Sequence, residues 1–503
     1  MPAAFSSSFW IANTLSVREN VKVTPWPTAG AGANMLRALV IAAGLSWSLV
    51  FIVVALEYEL QLYADGAMFS YAVAAQDVWA FHWHNISGRL TVFFLSLWPA
   101  ELYVGLTGSP WGGIVVYGLL FYVSPLIGLV ATFVADRSRG RTIFAYACFS
   151  TALLCPLVFG FPTEIWMAHA LFWPTLAVAH YAQRGVVGAV VIFAMLVALM
   201  FTHEGALVLA LTIVATLALR GLRNAPFMRG ASAFIAALTV WTAVKLLLPP
   251  DKYFAGVLIR AALHFFDLAI FEVNLFLLLL AALASYGFVF VGLSRFAPHK
   301  AYLCAAAVVI ALLAVYWISF DHSIHANNRY YMRTALVTVT PALGALAVSY
   351  ALRADGVTLC IPRLERTLTA LTSGIAIQMF AGAFILVTLV YAVETAKFIS
   401  GWTNYKAAVK ALAIGTASDP SLGDSHFVSS DRIGAHLNRL SWFSTTQYLS
   451  IIVADFAPSR FVIDPASNYF WLSCITATSN SNAARLIPIA SRNFVQIYSC
   501  LHR

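Results

Sequence analysis

The sequence predicts an all-α polytopic membrane protein of about 11 transmembrane helices, with interfacial helices in the first outer loop and a small C-terminal extracytoplasmic α/β domain. Three observations carry this. Of 503 residues, 61% are hydrophobic and only 10% are charged, against about 25% charged in soluble domains; mean hydropathy is +0.81. Apolar runs of roughly 20 residues recur along the chain, each long enough to cross a hydrocarbon core about 30 Å thick. The loops between them alternate between two chemical characters.

The spans fall at 36–56, 113–135, 142–161, 166–182, 187–202, 205–219, 231–248, 273–294, 301–319, 335–352 and 369–392. One set of loops is basic: DRSRGR from Asp136, the turn at Arg184, RGLRNAPFMRG from Arg220, SRFAPHK from Ser294, and RADGVTLCIPRLER from Arg353. The other carries acids and histidines: EYELQLYADGAMFSYAVAAQ from Glu57, FPTEIWMAH, FTHEG, PPDKYFAGVLIRAALHFFDLAIFE and FDHSIHANNRYYMR. The positive-inside rule puts the basic set in the cytoplasm. A net charge of +9 is thereby absorbed as topology signalling and does not point to nucleic acid.

The alternation is unbroken only when RLTVFFLSLWPAELYVGLTG, Arg89 to Gly108, lies in the interface and does not cross. It holds Pro99 and Glu101, which suit that placement; a crossing is the rival reading. The resulting organisation is a cytoplasmic segment 1–35, a membrane domain 36–393 with its first outer loop at 57–112, and an extracytoplasmic domain 394–503. No removable signal peptide is read at the N-terminus. The tail changes to soluble composition near Glu394. It holds Cys474 and Cys500, the only cysteines on the oxidising side and a candidate disulfide.

The unusual polar residues collect on the outer side, where ionisable groups at membrane depth usually face a cavity or a partner. Asp65 precedes Gly66 and an apolar stripe at Met68, Ala72, Ala75 and Trp79, spaced like one helix face. Helix capping is the bland account of such an aspartate. Glu164 and His169, then His203 and Glu204, stand at the mouths of spans, and Asp321, His322, His325, Asn328, Arg329, Tyr330 and Arg333 follow in a later loop. Histidine packing against Trp166 and a helix anchor at Arg333 are the bland accounts there. His203–Glu204 is not an HExxH pair, and a zinc site from His203, His322 and His325 is weakly signalled, so no metal or other cofactor is assigned. No phosphate-binding glycine loop, kinase signature or GxSxG occurs.

With these residues in view, the chain resembles the GT-C superfamily of membrane glycosyltransferases, in the branch of protein O-mannosyltransferases and lipid A aminoarabinose transferases. YADGAMFSYAVAAQ is similar to the family's Asp-then-helix motif after the first span. GRLTVFFLSLWPAELYVGLTGS is placed like its second juxtamembrane helix, VATFVADRSRGR like the span ending in a basic turn, and NNRYYMRTALVTVTPAL like its late RY-type stretch. The likeness covers roughly 36–392. Two departures stand out: Asp65-Gly66 replaces the paired acid of many relatives, and Gly88-Arg89-Leu90 replaces a Lys/His-Pro-Pro element.

The resemblance implies an inverting transferase that moves a sugar from a polyprenyl-phosphate donor to a lipid, glycan or protein acceptor outside the cytoplasm. Asp65 would be the base, and Arg329 and Arg333 phosphate contacts with Arg89 as a lesser one. Glu164, His203 and Glu204 would orient acceptor or sugar, beside Asn328 and Tyr330. Membrane lipids are the expected surroundings, nucleic acid is no partner, and a bacterial inner membrane is the expected home. Two other readings compete: an O-antigen-type polymerase or ligase using a polyprenyl-diphosphate glycan, and a lipid or sugar transporter.

Overall fold

The computed structural model describes residues 31–79, 89–158, 162–183, 185–248, 259, 263, 273–297, 300–321, 328–361, 374–415, 427–442, 445–457 and 460–463. Those residues form a bundle of apolar helices: α1 Ala31–Glu57, α2 Asp65–Ala75, α3 Leu90–Thr107, α4 Pro110–Ala135, α5 Thr142–Leu154, α6 Glu164–Tyr181, α7 Val186–Met200, α8 Ala206–Leu217, α9 Ala225–Leu247, α10 Val273–Ser294, α11 Ala301–Ser319, α12 Asn328–Ala354 and α13 Gly374–Ile414. Among the described residues, eight are long and apolar enough to cross a membrane: α1, α3, α4, α9, α10, α11, α12 and α13. The protein is an all-α polytopic membrane protein. Seven of these coincide with predicted spans. The predicted spans at 142–161, 187–202 and 205–219 are helical too, but shorter, at 13, 15 and 12 residues, and that at 166–182 matches the 18-residue α6.

The ends of the bundle can be matched by neighbours. α4 and α6 run parallel: Tyr117 is in electrostatic range of Glu164, Gly128 packs on the Ala170 carbonyl, and Asp136 faces Tyr181. One end therefore carries Glu164 and the start of α4. The other is basic, gathering Arg139, Arg141, Arg220 and Arg229 around Asp136, Tyr181 and Asp355. α3 begins beside Glu164, through Arg89, and returns to the start of α4 through a two-residue turn. Gly108 supplies the left-handed residue there (φ 69°), and the Ser109 hydroxyl accepts the Gly112 N–H at 3.1 Å. Both ends of α3 thus sit at the same end of the bundle, although its length and hydropathy would suit a crossing. Its outward face is apolar, with Phe94, Leu95, Trp98, Leu102 and Leu106 exposed.

Two expectations need correcting. The stripe Met68–Ala72–Ala75–Trp79 does not lie on one helix face. α2 is buried on nearly every side, and it stops at Ala75 because Gln76 turns left-handed (φ 53°), so Trp79 lies beyond it. Its sequence DGAMFSYAVAA explains this: small residues allow close approach all round, and a helix apolar on every face belongs inside. Second, no boundary occurs at 393. α13 runs unbroken for 41 residues, about 61 Å, twice a hydrocarbon core. Its far half packs on the loop after α1: the Trp402 indole and the Lys406 ammonium both donate to the Tyr58 carbonyl, at 3.1 and 2.8 Å.

A small segment sits on that extension. β1 Phe427–Ser429 pairs in parallel with β2 Phe461–Ile463. The crossover that a parallel pair requires contains α14 Ala435–Asn438 and α15 Thr446–Val453. Arg460 N–H donates to the Ala413 carbonyl at 3.1 Å, and Tyr448 stacks at a tilt on Tyr71 of α2, 5.3 Å between centroids. Cys474 and Cys500 lie outside the described residues.

Candidate functional site

At the end of the bundle opposite the basic loops, five separate segments bring ionisable groups together. Arg89 sits just before α3 and is held there by backbone bonds. Thr91 N–H donates to the Phe201 carbonyl (3.2 Å) and the Thr91 hydroxyl to the Ala198 carbonyl (2.7 Å), which ties α3 to the end of α7. The Arg89 guanidinium then reaches Glu164 at 2.9 Å and Glu204 at 2.8 Å. Glu204 takes a second cation, Lys245 of α9, at 3.0 Å. The side chains are only 8–15% exposed. Arg333, at the start of α12, acts on the same cluster through its charge on His203.

The short helices explain the depth of this cluster. α8 rises about 18 Å and α7 about 22 Å from a basic end where Arg220 Nη1 donates to the His180 carbonyl at 3.2 Å. The loop that joins them, holding His203 and Glu204, is therefore recessed below the level that the 27-residue α12 reaches.

Electrostatics fixes the protonation states. Burial alone would push the Glu204 carboxyl up, but Arg89 and Lys245 outweigh it and hold Glu204 well below the usual carboxylate range. Burial lowers the His203 imidazole, and Arg89, Arg333 and Lys245 push the same way, so the ring is neutral near neutral pH. His203 Nδ1 accepts the Gly205 N–H at 2.9 Å. A neutral ring with Nδ1 accepting carries its proton on Nε2. For Arg89, burial opposes the cation, yet the two carboxylates prevail and raise its affinity for its proton. Three cations, Arg89, Lys245 and Arg333, thus stand around Glu164 and Glu204.

Asp65 is close by. It opens α2, half-buried, where the helix dipole favours negative charge. Tyr117 of α4 is in electrostatic range of both Asp65 and Glu164, and so links the acid loop to the ion-pair cluster. Ala64, just before Asp65, has φ 52° and ψ −130°, a region nearly reserved for glycine. Glu59 and Gln76 are also left-handed, so three strained non-glycine residues frame this loop, and such strain concentrates at functional sites. Gly66 cannot be larger, because a Cβ there would collide with the Gln61 carbonyl and with Pro162. The departure from a paired acid has a steric cause.

Of the residues singled out from sequence, Asp65, Arg89, Glu164, His203, Glu204 and Arg333 gather at this end. Arg89, expected as a lesser phosphate contact, has its guanidinium paired with two carboxylates. His169 stands apart, stacked on Trp166 at 5.4 Å and bonded to the Ser150 hydroxyl at 2.8 Å, as the packing account expected. Asn328, Arg329 and Tyr330 begin α12, but their side chains, like His322 and His325, lie outside the described residues. Among the described residues no three His, Cys, Asp or Glu groups are placed to hold a metal ion. Lys245 and Tyr117 were missed. The signal for Lys245 was available, since a cation at the acid-and-histidine end of a span breaks the positive-inside pattern.

Comparison with protein-family models and with curated proteins finds no match to this chain.

Proposed function

We propose that this protein is an inverting membrane glycosyltransferase that takes a sugar from a polyprenyl-phosphate carrier and passes it to a lipid, glycan or protein hydroxyl on the extracytoplasmic side. The observation that carries the reading is the recessed cluster of Arg89, Glu164, Glu204, His203, Lys245 and Arg333 beside Asp65. A lipid-linked donor carries its phosphate at headgroup depth, and cations gathered beside a candidate base at that depth suit it.

In this mechanism Asp65 accepts the proton of the acceptor hydroxyl as its oxygen attacks the anomeric carbon. The bond from that carbon to the phosphate oxygen breaks, and the electron pair leaves with the carrier phosphate. A positioned base contributes about 10²–10⁴-fold. Lys245 and Arg333 stabilise the departing charge, and Nε2–H of His203 donates to sugar or phosphate. The Glu164–Arg89–Glu204 bridge locks three segments so that these groups hold their spacing. One displacement by one base inverts the anomeric centre. α3 lies in the outer interface in this reading, the basic end faces the cytoplasm, and the 427–463 segment covers α2 from outside, in a bacterial inner membrane.

The test is turnover in detergent with a panel of polyprenyl-phosphate sugars and native membrane acceptors. Wild type is expected to release polyprenyl phosphate, and Asp65→Asn to lose at least about 10²-fold while staying folded. Release only from diphosphate-linked glycans would turn the assignment to a polymerase or ligase, and equal turnover by both proteins would remove Asp65 from the chemistry.

A further inference from the structure

α1 and α5 run side by side in the same direction. Gly44 meets Cys148, and the Cys155 thiol reaches the Trp47 carbonyl at 3.8 Å. The start of α1 therefore lies beside the turn Asp136–Arg141 that leads into α5. There Arg37 lays its guanidinium over Gly140. A Cβ at that position would stand 2.9 Å from Arg37 Nη1, and Gly140 is left-handed (φ 81°), so glycine leaves the room that the guanidinium takes. The turn is tied by its own atoms: the Ser138 hydroxyl accepts the Thr142 N–H at 2.9 Å, and Arg141 Nη1 donates to the Phe133 carbonyl at 2.7 Å.

The acids nearby are occupied. Asp136 accepts two backbone N–H groups, and Asp355 accepts the Arg139 N–H and the Tyr181 hydroxyl. Among the described residues, the side chains of Arg37, Arg137 and Arg139 form no hydrogen bond or ion pair. Arg137 and Arg139 are exposed, as topology signals are. Arg37 is different. It is half-buried and belongs to a helix long enough to cross the membrane, and a charge at that depth usually faces a cavity or a partner.

We propose that Arg37, Arg137 and Arg139 together hold the phosphate of an anionic membrane lipid at this end of the bundle. The planar guanidinium fork matches phosphate oxygens two at a time. Clustered cations select the class: phosphatidylcholine and phosphatidylethanolamine carry a cationic group that the arginines repel, whereas an anionic headgroup brings none. The neighbouring surface favours a lipid over a free phosphate. Ile127, Val130 and Val134 of α4 are 58%, 55% and 70% exposed and share one helix face. That apolar lane ends at Asp136, where a chain lying along it would deliver its headgroup to the turn. Nothing in this assignment depends on the transferase reading.

Native mass spectrometry tests it, on protein released from bilayers of equal parts phosphatidylethanolamine, phosphatidylcholine and phosphatidylglycerol with identical chains. Wild type is expected to retain phosphatidylglycerol roughly tenfold over either of the others, the worth of one charge-assisted hydrogen bond. Arg37→Gln should lower that preference, and Arg37→Gln with Arg139→Gln should erase it. Neither change removes a side-chain bond of the described fold, so thermal unfolding should match wild type. Arg223→Gln, at an exposed arginine of another basic loop, should leave the preference intact. Equal retention of the three lipids by wild type, a preference that survives the double substitution, or an equal loss in Arg223→Gln overturns the proposal. So does binding of inorganic phosphate to lipid-free wild type that the double substitution abolishes while no lipid is preferred, which would assign the arginines to a free anion.

Discussion

The two ends of the helix bundle handle charge in opposite ways. At the basic end, charged groups are spent on the backbone. Asp136 accepts the N–H groups of Ser138 and Phe144 at 2.8 and 2.9 Å, and Asp355 accepts the Arg139 N–H and the Tyr181 hydroxyl at 2.9 and 2.7 Å. Arg229 and Arg220 donate to the carbonyls of Gln183 and His180. Apart from the Tyr181 hydroxyl on Asp355, these contacts satisfy helix ends or turns. At the opposite end, Arg89, Glu164, Glu204 and Lys245 bind one another. They come from segments 115 positions apart in one pair and 41 in another, and although Glu164 opens α6 and Lys245 lies in the last turn of α9, their side chains bond across segments. Replacing such a buried network by apolar residues is often neutral or stabilising, so stability alone does not explain why the charges are there. The contrast separates charge spent on the backbone from charge paired with charge.

Breaking the network should produce the largest effect. Arg89→Ala strands the buried Glu164 carboxylate and leaves Glu204 with Lys245 alone, and a loss of about 3–5 kcal/mol is expected in denaturant unfolding, along with transfer activity. Arg89→Lys should recover part of the stability, because one ammonium cannot span both carboxylates in the guanidinium's planar fork.

Next in size is Gly66→Asp. Under the proposed transferase function this change is inviting, since it would create the paired acid that many GT-C enzymes carry. The collision with Gln61 and Pro162 predicts instead a loss of about 1–3 kcal/mol, with no gain in turnover, read by thermal unfolding and the release assay together.

The smallest expected effect is a slope. The imidazole of His203 holds its proton less tightly in the folded protein than in the unfolded chain, whose histidine titrates near 6.5. As pH falls below that value the unfolded state takes up the proton first, so stability present above it declines on acidification, by up to about 1.4 kcal/mol per pH unit. His203→Gln should flatten unfolding curves between pH 6.5 and 5 relative to wild type, while Asp136→Asn should leave that slope in place.

Much of this was legible in the sequence, for identifiable reasons. Apolar runs and basic loops report membrane helices directly, because hydrocarbon admits little else. Glu164, His203 and Glu204 were visible because an ionisable group at the mouth of a span is conspicuous. The pairing of Arg89 with both glutamates was not visible, since it depends on α3 doubling back along one end of the bundle. Tyr117 was hidden inside an apolar run, where an aromatic residue reads as packing. The unbroken α13 was missed because composition shifts at Glu394 while helix propensity does not. Polar residues such as Glu394, Lys397 and Lys406 leave the hydrocarbon without leaving the helix. α2 was misread for the opposite reason: its apolar stripe was real, but small residues on its other faces let the bundle enclose it.

The most direct test of the contrast between the two ends is turnover per folded molecule for Asp65→Asn, Glu204→Gln and Asp136→Asn, measured beside wild type with a polyprenyl-phosphate sugar. The account predicts that Asp65→Asn and Glu204→Gln lose at least about 10²-fold. Asp136→Asn should lose stability, about 1–3 kcal/mol, and keep wild-type turnover in the fraction that folds. Wild-type turnover in Asp65→Asn and Glu204→Gln, or an equal loss in all three, would contradict it.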